Sequence, residues 1–192
     1  MIVIVDGVPT EVPDVPTTQE PLTLAQAKAH LRLGSDTTED ELISGLIVAA
    51  REWVEAFTSL ILTQREITQV FNGFSCRLRL YAWPIASDAE VAVLYRDYTG
   101  ASQTITDARL ARSARWAQVL PAIGTSWPSI APDADAVSVT VVAGYPTPEA
   151  VPQSLKQAML LLISTWFNER EAKGEAPTAV EMLCHSFRLI GV

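Results

Sequence analysis

Few residues in this chain have the types and spacing that chemistry needs. It has two histidines, two cysteines, and a run of carboxylates between positions 36 and 55. Gly124-Thr-Ser126 places a serine two residues after a glycine, but Pro128 stands where a nucleophile elbow needs a second glycine. A Ser–His–acid triad would have to recruit His30 or His185. His30 falls on a predicted helix between Lys28 and Arg32, which suits a solvent-facing or capping role. Cys184 and His185 are adjacent, so on a helix their side chains diverge, and no second ligand pair follows. Cys76 and Cys184 belong to no CxxC spacing and read as free thiols. The acid pairs Asp40/Glu41 and Glu52/Glu55 lie on the polar side of a predicted helix, partly at its positive end, where a capping role accounts for them. No GxGxxG or GxxxxGK[ST] loop is present to cradle a phosphate. No catalytic, metal-ligating or cofactor-binding residue is assigned.

The element that must position these acids is a long amphipathic helix over residues 36–58. Leu42, Leu46, Ala49, Ala50, Trp53 and Phe57 recur at steps of three and four, and Ile43, Ile47 and Val54 widen the stripe. Glu41, Ser44, Arg51, Glu52 and Glu55 take the opposite face. Thr38 and Glu41 have capping-box spacing, and so do Thr23 and Gln26 at the head of a shorter helix that Gly34 should end. A third helix is expected over residues 152–171. Leu155, Ala158, Met159, Leu162, Ile163 and Trp166 make it the most apolar of the set. Val180, Leu183, Cys184 and Phe187 suggest a last short helix.

Between these helices the period changes to two. Leu78 and Leu80 alternate with Arg77, Arg79 and Tyr81; Val91, Val93 and Tyr95 alternate with Ala92, Leu94 and Arg96. Val137, Val139 and Val141 form the clearest strand. The expected fold class is α+β: a helical core of two N-terminal helices and a long C-terminal helix, interrupted by an antiparallel β insert. The expected boundaries are an N-terminal arm over 1–20, a helical core over 21–60 and 148–192, and a β insert over 61–147, forming one structural unit. Within the arm, Ile2–Val5 either pairs with Val8 and beyond as a hairpin or stays extended.

Charge sharpens the picture. The net charge is −8, yet residues 61–147 hold seven arginines and seven acids. The other 7 basic and 15 acidic residues supply the whole surplus, with six acids against Arg51 between Asp36 and Glu55, and such a surface repels nucleic-acid phosphates. No apolar run approaches the ~20 residues of a membrane helix, and Met1–Val5 is too short for a signal peptide, so a chain made and kept in the cytoplasm is expected. Five tryptophans and twelve prolines are ample material for protein contacts, with Trp83 and Trp127 in predicted loops.

Several motifs in order carry a resemblance. They are Pro21-Leu-Thr-Leu24 with Ala27-Lys28 and Leu31; Ala49-Ala50-Arg51 with Val54-Glu55 and Thr58; Gly144-Tyr145; Val151-Pro152 with Leu155-Lys156-Gln157-Ala158 and Leu160-Leu-Leu162; and Trp166-Phe167 with Arg170-Glu171. This set, over roughly residues 20–171, resembles the head–tail connector (adaptor) proteins of tailed bacteriophages and prophages. The resemblance implies a structural protein without enzymatic activity or cofactor, built into a homo-oligomeric ring. The ring would dock on the portal protein and meet a tail-completion or stopper protein. DNA would pass through without sequence-specific binding, and no membrane is involved. Assembly would take place in the host cytoplasm and the product would sit in the virion neck. On that reading Asp36, Glu39, Asp40, Glu41, Glu52 and Glu55 are the candidate acidic lumen face. Trp83, Trp127, Arg170 and Phe187 are candidate interface residues. The segment after Lys173 and the arm 1–20 are expected contact elements. The alternatives are a small-ligand or protein-binding β module (or an enzyme of unknown substrate) on a helical support, and a different neck or tail-completion protein.

Overall fold

The computed structural model describes residues 2–5, 8–11, 19–86, 89–113, 116–130, 133–169 and 177–189. Its elements run β1 (Ile2–Val5), β2 (Val8–Glu11), α1 (Leu24–Leu31), α2 (Asp40–Thr58), β3 (Arg65–Phe71), β4 (Leu78–Leu80), β5 (Val91–Arg96), β6 (Ser102–Ile105), β7 (Arg109–Ser113), β8 (Trp116–Leu120), β9 (Val137–Ala143), a 3-10 turn at Pro148–Ala150, α3 (Gln153–Asn168) and α4 (Thr178–His185). The class is α+β, as the change of period predicts. The chain divides into two compact units where a single one was expected. Residues 17–63 and 145–192 form a helical unit, and residues 1–16 and 64–144 form a β unit.

In the helical unit, α2 and α3 pack together, with α1 and α4 packed against both. Ile43, Ile47, Ala50, Val54 and Thr58 are the buried line of α2, and Leu155, Ala158, Met159, Leu162 and Ile163 that of α3. The core line of α2 is thus rotated from the stripe expected: Leu42 is 48% exposed, and Trp53 and Phe57 lie half-buried, stacked with ring centroids 5.1 Å apart. α3 packs against α2, and the line of α2 that is buried carries the β-branched Ile43, Ile47 and Val54. Thr23 and Gln26 close a reciprocal capping box, with the Gln26 amide donating to the Thr23 hydroxyl and the Thr23 amide to Gln26 Oε1. The box expected at Thr38 and Glu41 is absent. Instead the Thr38 amide and hydroxyl both donate to Asp36, and α2 starts at Asp40 with Glu39 as an N-cap that makes no side-chain cap bond. Arg32, in a left-handed conformation (φ 60°), ends α1 before Gly34 is reached.

In the β unit, a six-stranded sheet has the order β2-β1-β3-β9-β5-β6, and a three-stranded sheet the order β4-β8-β7. The arm residues thus enter the sheet: β1 pairs antiparallel with β2 and parallel with β3. β9 lies between β3 and β5, and all four of its odd-numbered residues, Val137, Val139, Val141 and Ala143, are buried. The three-stranded sheet buries Leu78, Leu80, Ala117 and Val119.

A buried side chain ties the two sheets together. Gln69 on β3 is 3% exposed; its Nε2 donates to the Arg79 carbonyl at 2.9 Å, and its Oε1 accepts from the Tyr81 amide at 3.0 Å. This amide supplies β4 with the two hydrogen bonds a neighbouring strand would give. A Gln69→Leu substitution removes both while keeping most of the volume, leaving the Arg79 carbonyl and the Tyr81 amide without this partner. The expected loss is about 1–3 kcal/mol. A urea titration checks it, with faster hydrogen exchange at Tyr81 as the local signature.

Candidate functional site

Candidate site residues fall on two surfaces, and α2 carries the first. Of its acids, Glu55 is turned inward beside the buried Arg51. The Arg51 guanidinium donates from Nε to both oxygens of Glu20, at 3.1 and 3.2 Å, and from Nη1 to Glu55 at 3.0 Å; its Nη2 lies 3.5 Å from Glu52. The second Glu55 oxygen accepts the Leu62 amide at 2.7 Å. Arg51 is 7% exposed, so it belongs to the interior and not to the polar face expected for it. Burial raises the Glu20 carboxyl above its ordinary range, with Arg51 pulling it down. Asp40 is likewise engaged, accepting from Lys28 Nζ at 2.6 Å. Asp36 is held below its usual range by its Thr38 hydrogen bonds.

Six acids therefore do not form one face. Asp36, Asp40 and Glu55 serve local structure, and Glu39 lies half-buried at the helix start. Glu41 and Glu52 keep exposed side chains. They mark the ends of a ridge, Glu41, Gly45, Val48 and Glu52, whose spacing of four, three and four puts all four on one exposed line. Leu42 lies beside it.

The second surface is the outer side of the three-stranded sheet. Arg79 pairs with Gln118, which pairs with Ala111, and Arg109 pairs with Leu120. Alternation puts these residues opposite the buried Leu78, Leu80, Ala117 and Val119. The Arg79 guanidinium sits 4.3 Å from the Trp116 ring centroid and 5.9 Å from that of Tyr81, within cation–π range. Tyr81 is 44% and Trp116 37% exposed; Arg109 and Arg77 are exposed as well. None of the three strands contains an acid. This surface was not among the expected interface residues, although the Arg77-Leu-Arg79-Leu-Tyr81 alternation announced its wet side.

The expected interface residues are dispersed. Trp127 stacks on Phe74 with centroids 4.6 Å apart, and Phe74 meets Tyr95 edge-on, so Trp127 packs within the β unit; its Nε1 is buried without a partner. Trp83 is half-buried in the β unit, and Phe187 half-buried after α4. Arg170 lies outside the described residues, as do residues 1, 6, 7 and 12–18 of the arm and residues 171–176. Part of the segment after Lys173 is core: α4 buries Val180 and Cys184, Arg188 stacks over Phe57 at 5.2 Å, and the Leu189 amide donates to the Thr58 carbonyl. Burial lifts the Cys184 thiol to about 11, while His185 beside it is exposed. Among the described residues there is no group of three His, Cys, Asp or Glu placed to hold a metal, and no helix is long and apolar enough to cross a membrane.

Comparison with known proteins gives two likenesses. Residues 21–80 match the family Phage gp6-like head-tail connector protein. The whole fold is similar to a chain from the neck of an empty GTA particle computed with C6 symmetry, at 25% identity and a TM-score of 0.73, covering 95% of this chain and 96% of that one. A chain from the virion of a native gene transfer agent (GTA) particle gives 25% identity and a TM-score of 0.72 over the same shares. A chain from the neck of a native GTA particle computed with C12 symmetry shares the fold at 24% identity and a TM-score of 0.70. No curated protein matches the chain.

Proposed function

We infer that this chain is a structural head–tail connector, working as an oligomer in the neck of a phage-like particle, and not an enzyme. The observation that carries the reading is coverage: the likeness to neck chains extends over both the helical and the β unit, 95% of the residues. We propose further that copies close into a ring that docks on the portal and continues the DNA channel toward a tail-completion or stopper protein. Assembly from host cytoplasm into the neck accords with that role. The net charge of −8 supports it, since a conduit through which DNA slides must not grip phosphates.

Light scattering coupled to size exclusion, over a wide concentration range and with negative-stain imaging, tests the proposal. The expected result is a closed ring with a central hole, formed alone or on addition of portal rings. A chain that stays monomeric at every concentration and does not bind portal overturns it.

A further inference from the structure

We propose that the Arg79–Arg109 side of the three-stranded sheet is a contact surface for a second copy of this chain, and that its counterpart on that copy is the Glu41–Glu52 ridge of α2. The inference rests on the ring reading and deepens it. A ring of identical copies with more than two members needs two different, complementary surfaces on each copy. This chain has them. One surface carries arginines and two half-exposed aromatic rings, with no acid in its strands. The other carries the exposed carboxylates of Glu41 and Glu52, the second of them 3.5 Å from Arg51, with half-exposed Leu42 and Val48 beside and between them.

Their dimensions agree. Glu41 and Glu52 are eleven residues apart on a helix, about 16 Å at 1.5 Å per residue. Arg79 and Arg109 sit two strands apart and two residues out of register, which is roughly 12 Å between Cα positions. The reach of two arginine side chains spans the difference. Arginine and tryptophan are the side chains that most often anchor protein contacts, and the stacking of Arg79 on Trp116 holds the guanidinium in place. A nucleic-acid phosphate is the other anionic partner such a surface would take, but residues 61–147 carry as many acids as arginines, which leaves no net positive charge there to hold a polyanion. A wetted channel wall is the other role for the ridge. Leu42 and Val48 do not suit one, because they would expose apolar surface along the water-filled path.

Two double variants decide. R79E/R109E reverses the sheet side and E41R/E52R reverses the ridge; Arg109, Glu41 and Glu52 are exposed and Arg79 half-exposed, and circular dichroism checks that each variant folds. Sedimentation velocity should show self-association weakened roughly tenfold or more in each alone. Mixed one to one, the pair should assemble again, because every contact in an alternating ring then joins opposite charges. The proposal is overturned if either variant assembles like the wild type. Retained rings in E41R/E52R with slowed DNA passage would assign the ridge to the channel wall. Failure of the mixture to recover would mean that the sheet side and the ridge do not meet each other, and would overturn the proposal. A wild type that shows no self-association, with or without portal, defeats the ring reading itself; rings formed equally by wild type and variants defeat this contact alone.

Discussion

Replacing Arg51 by alanine is expected to cost the helical unit about 3–5 kcal/mol, the range for removing one partner of a buried ion pair. The loss is large because the guanidinium answers Glu20, whose carboxylate burial has already placed at a disadvantage, and also holds the inward Glu55 at 3.0 Å. Dependence on pH separates this cause from lost packing. An acid whose folded pKa is raised binds more protons folded than unfolded, so its contribution to stability falls as pH rises through that window. In the wild type the window opens at the ordinary value of 4.5 and reaches up to the raised folded pKa of Glu20. Without Arg51 nothing opposes desolvation, and the window extends higher. The deficit of the variant should therefore be full near pH 7.5 and shrink as the solution is acidified toward 4.5. Urea midpoints at three pH values measure it; a deficit independent of pH would leave packing as the cause. Arg51→Met keeps much of the stem volume and should share the pH dependence.

Leu162→Ala is the second large effect, at about 2–5 kcal/mol. Leu162 has no exposed surface and lies on the side of α3 shared with Leu155, Ala158, Met159 and Ile163. Because α3 packs against both α1 and α2 and carries α4, a void there loosens contacts made by three other helices. Denaturant unfolding followed by helical dichroism should show a lower midpoint for the helical transition. A later, β-dominated transition should stay in place if the two units melt independently. A midpoint within 1 kcal/mol of wild type would mean that the neighbouring side chains collapse into the space.

Period and local chemistry account for the features legible in the sequence. β9 shows its alternation residue by residue, α3 its broad apolar stripe, and Thr23 with Gln26 a capping box that forms as spaced. The rest depends on partners distant along the chain. Arg51 reads as a surface residue until Glu20, thirty-one positions earlier, meets it. Leu42 reads as core until α3 chooses the adjacent line of α2. β7 reads Arg-Leu-Ala-Arg-Ser, a run without the β-branched residues that mark a strand, and owes its place to β8. The parallel pairing of β1 with β3 has no local signature at all. For the candidate site, the acidic run was visible in the sequence, but its division into buried, capping and outward members was not. The arginine side of the small sheet needed the β4-β8-β7 order before Arg79 and Arg109 could be seen as neighbours.

The division into two units, each assembled from separated stretches of chain, has a consequence for synthesis. β1 must wait for β3, some sixty residues later, and the sheet gains its centre only when β9 arrives. The helical unit begins with α1 and α2 but lacks their packing surface until α3 is made. A growing chain that stops before residue 137 therefore has neither unit complete, and it shows the apolar lines of α2 and β3 to solvent. Folding that depends on pairings this distant in sequence is slow and open to misassembly. The protein becomes competent to join a particle only once its last quarter has been translated, so truncated chains should be aggregation-prone and excluded from assembly by their own incompleteness.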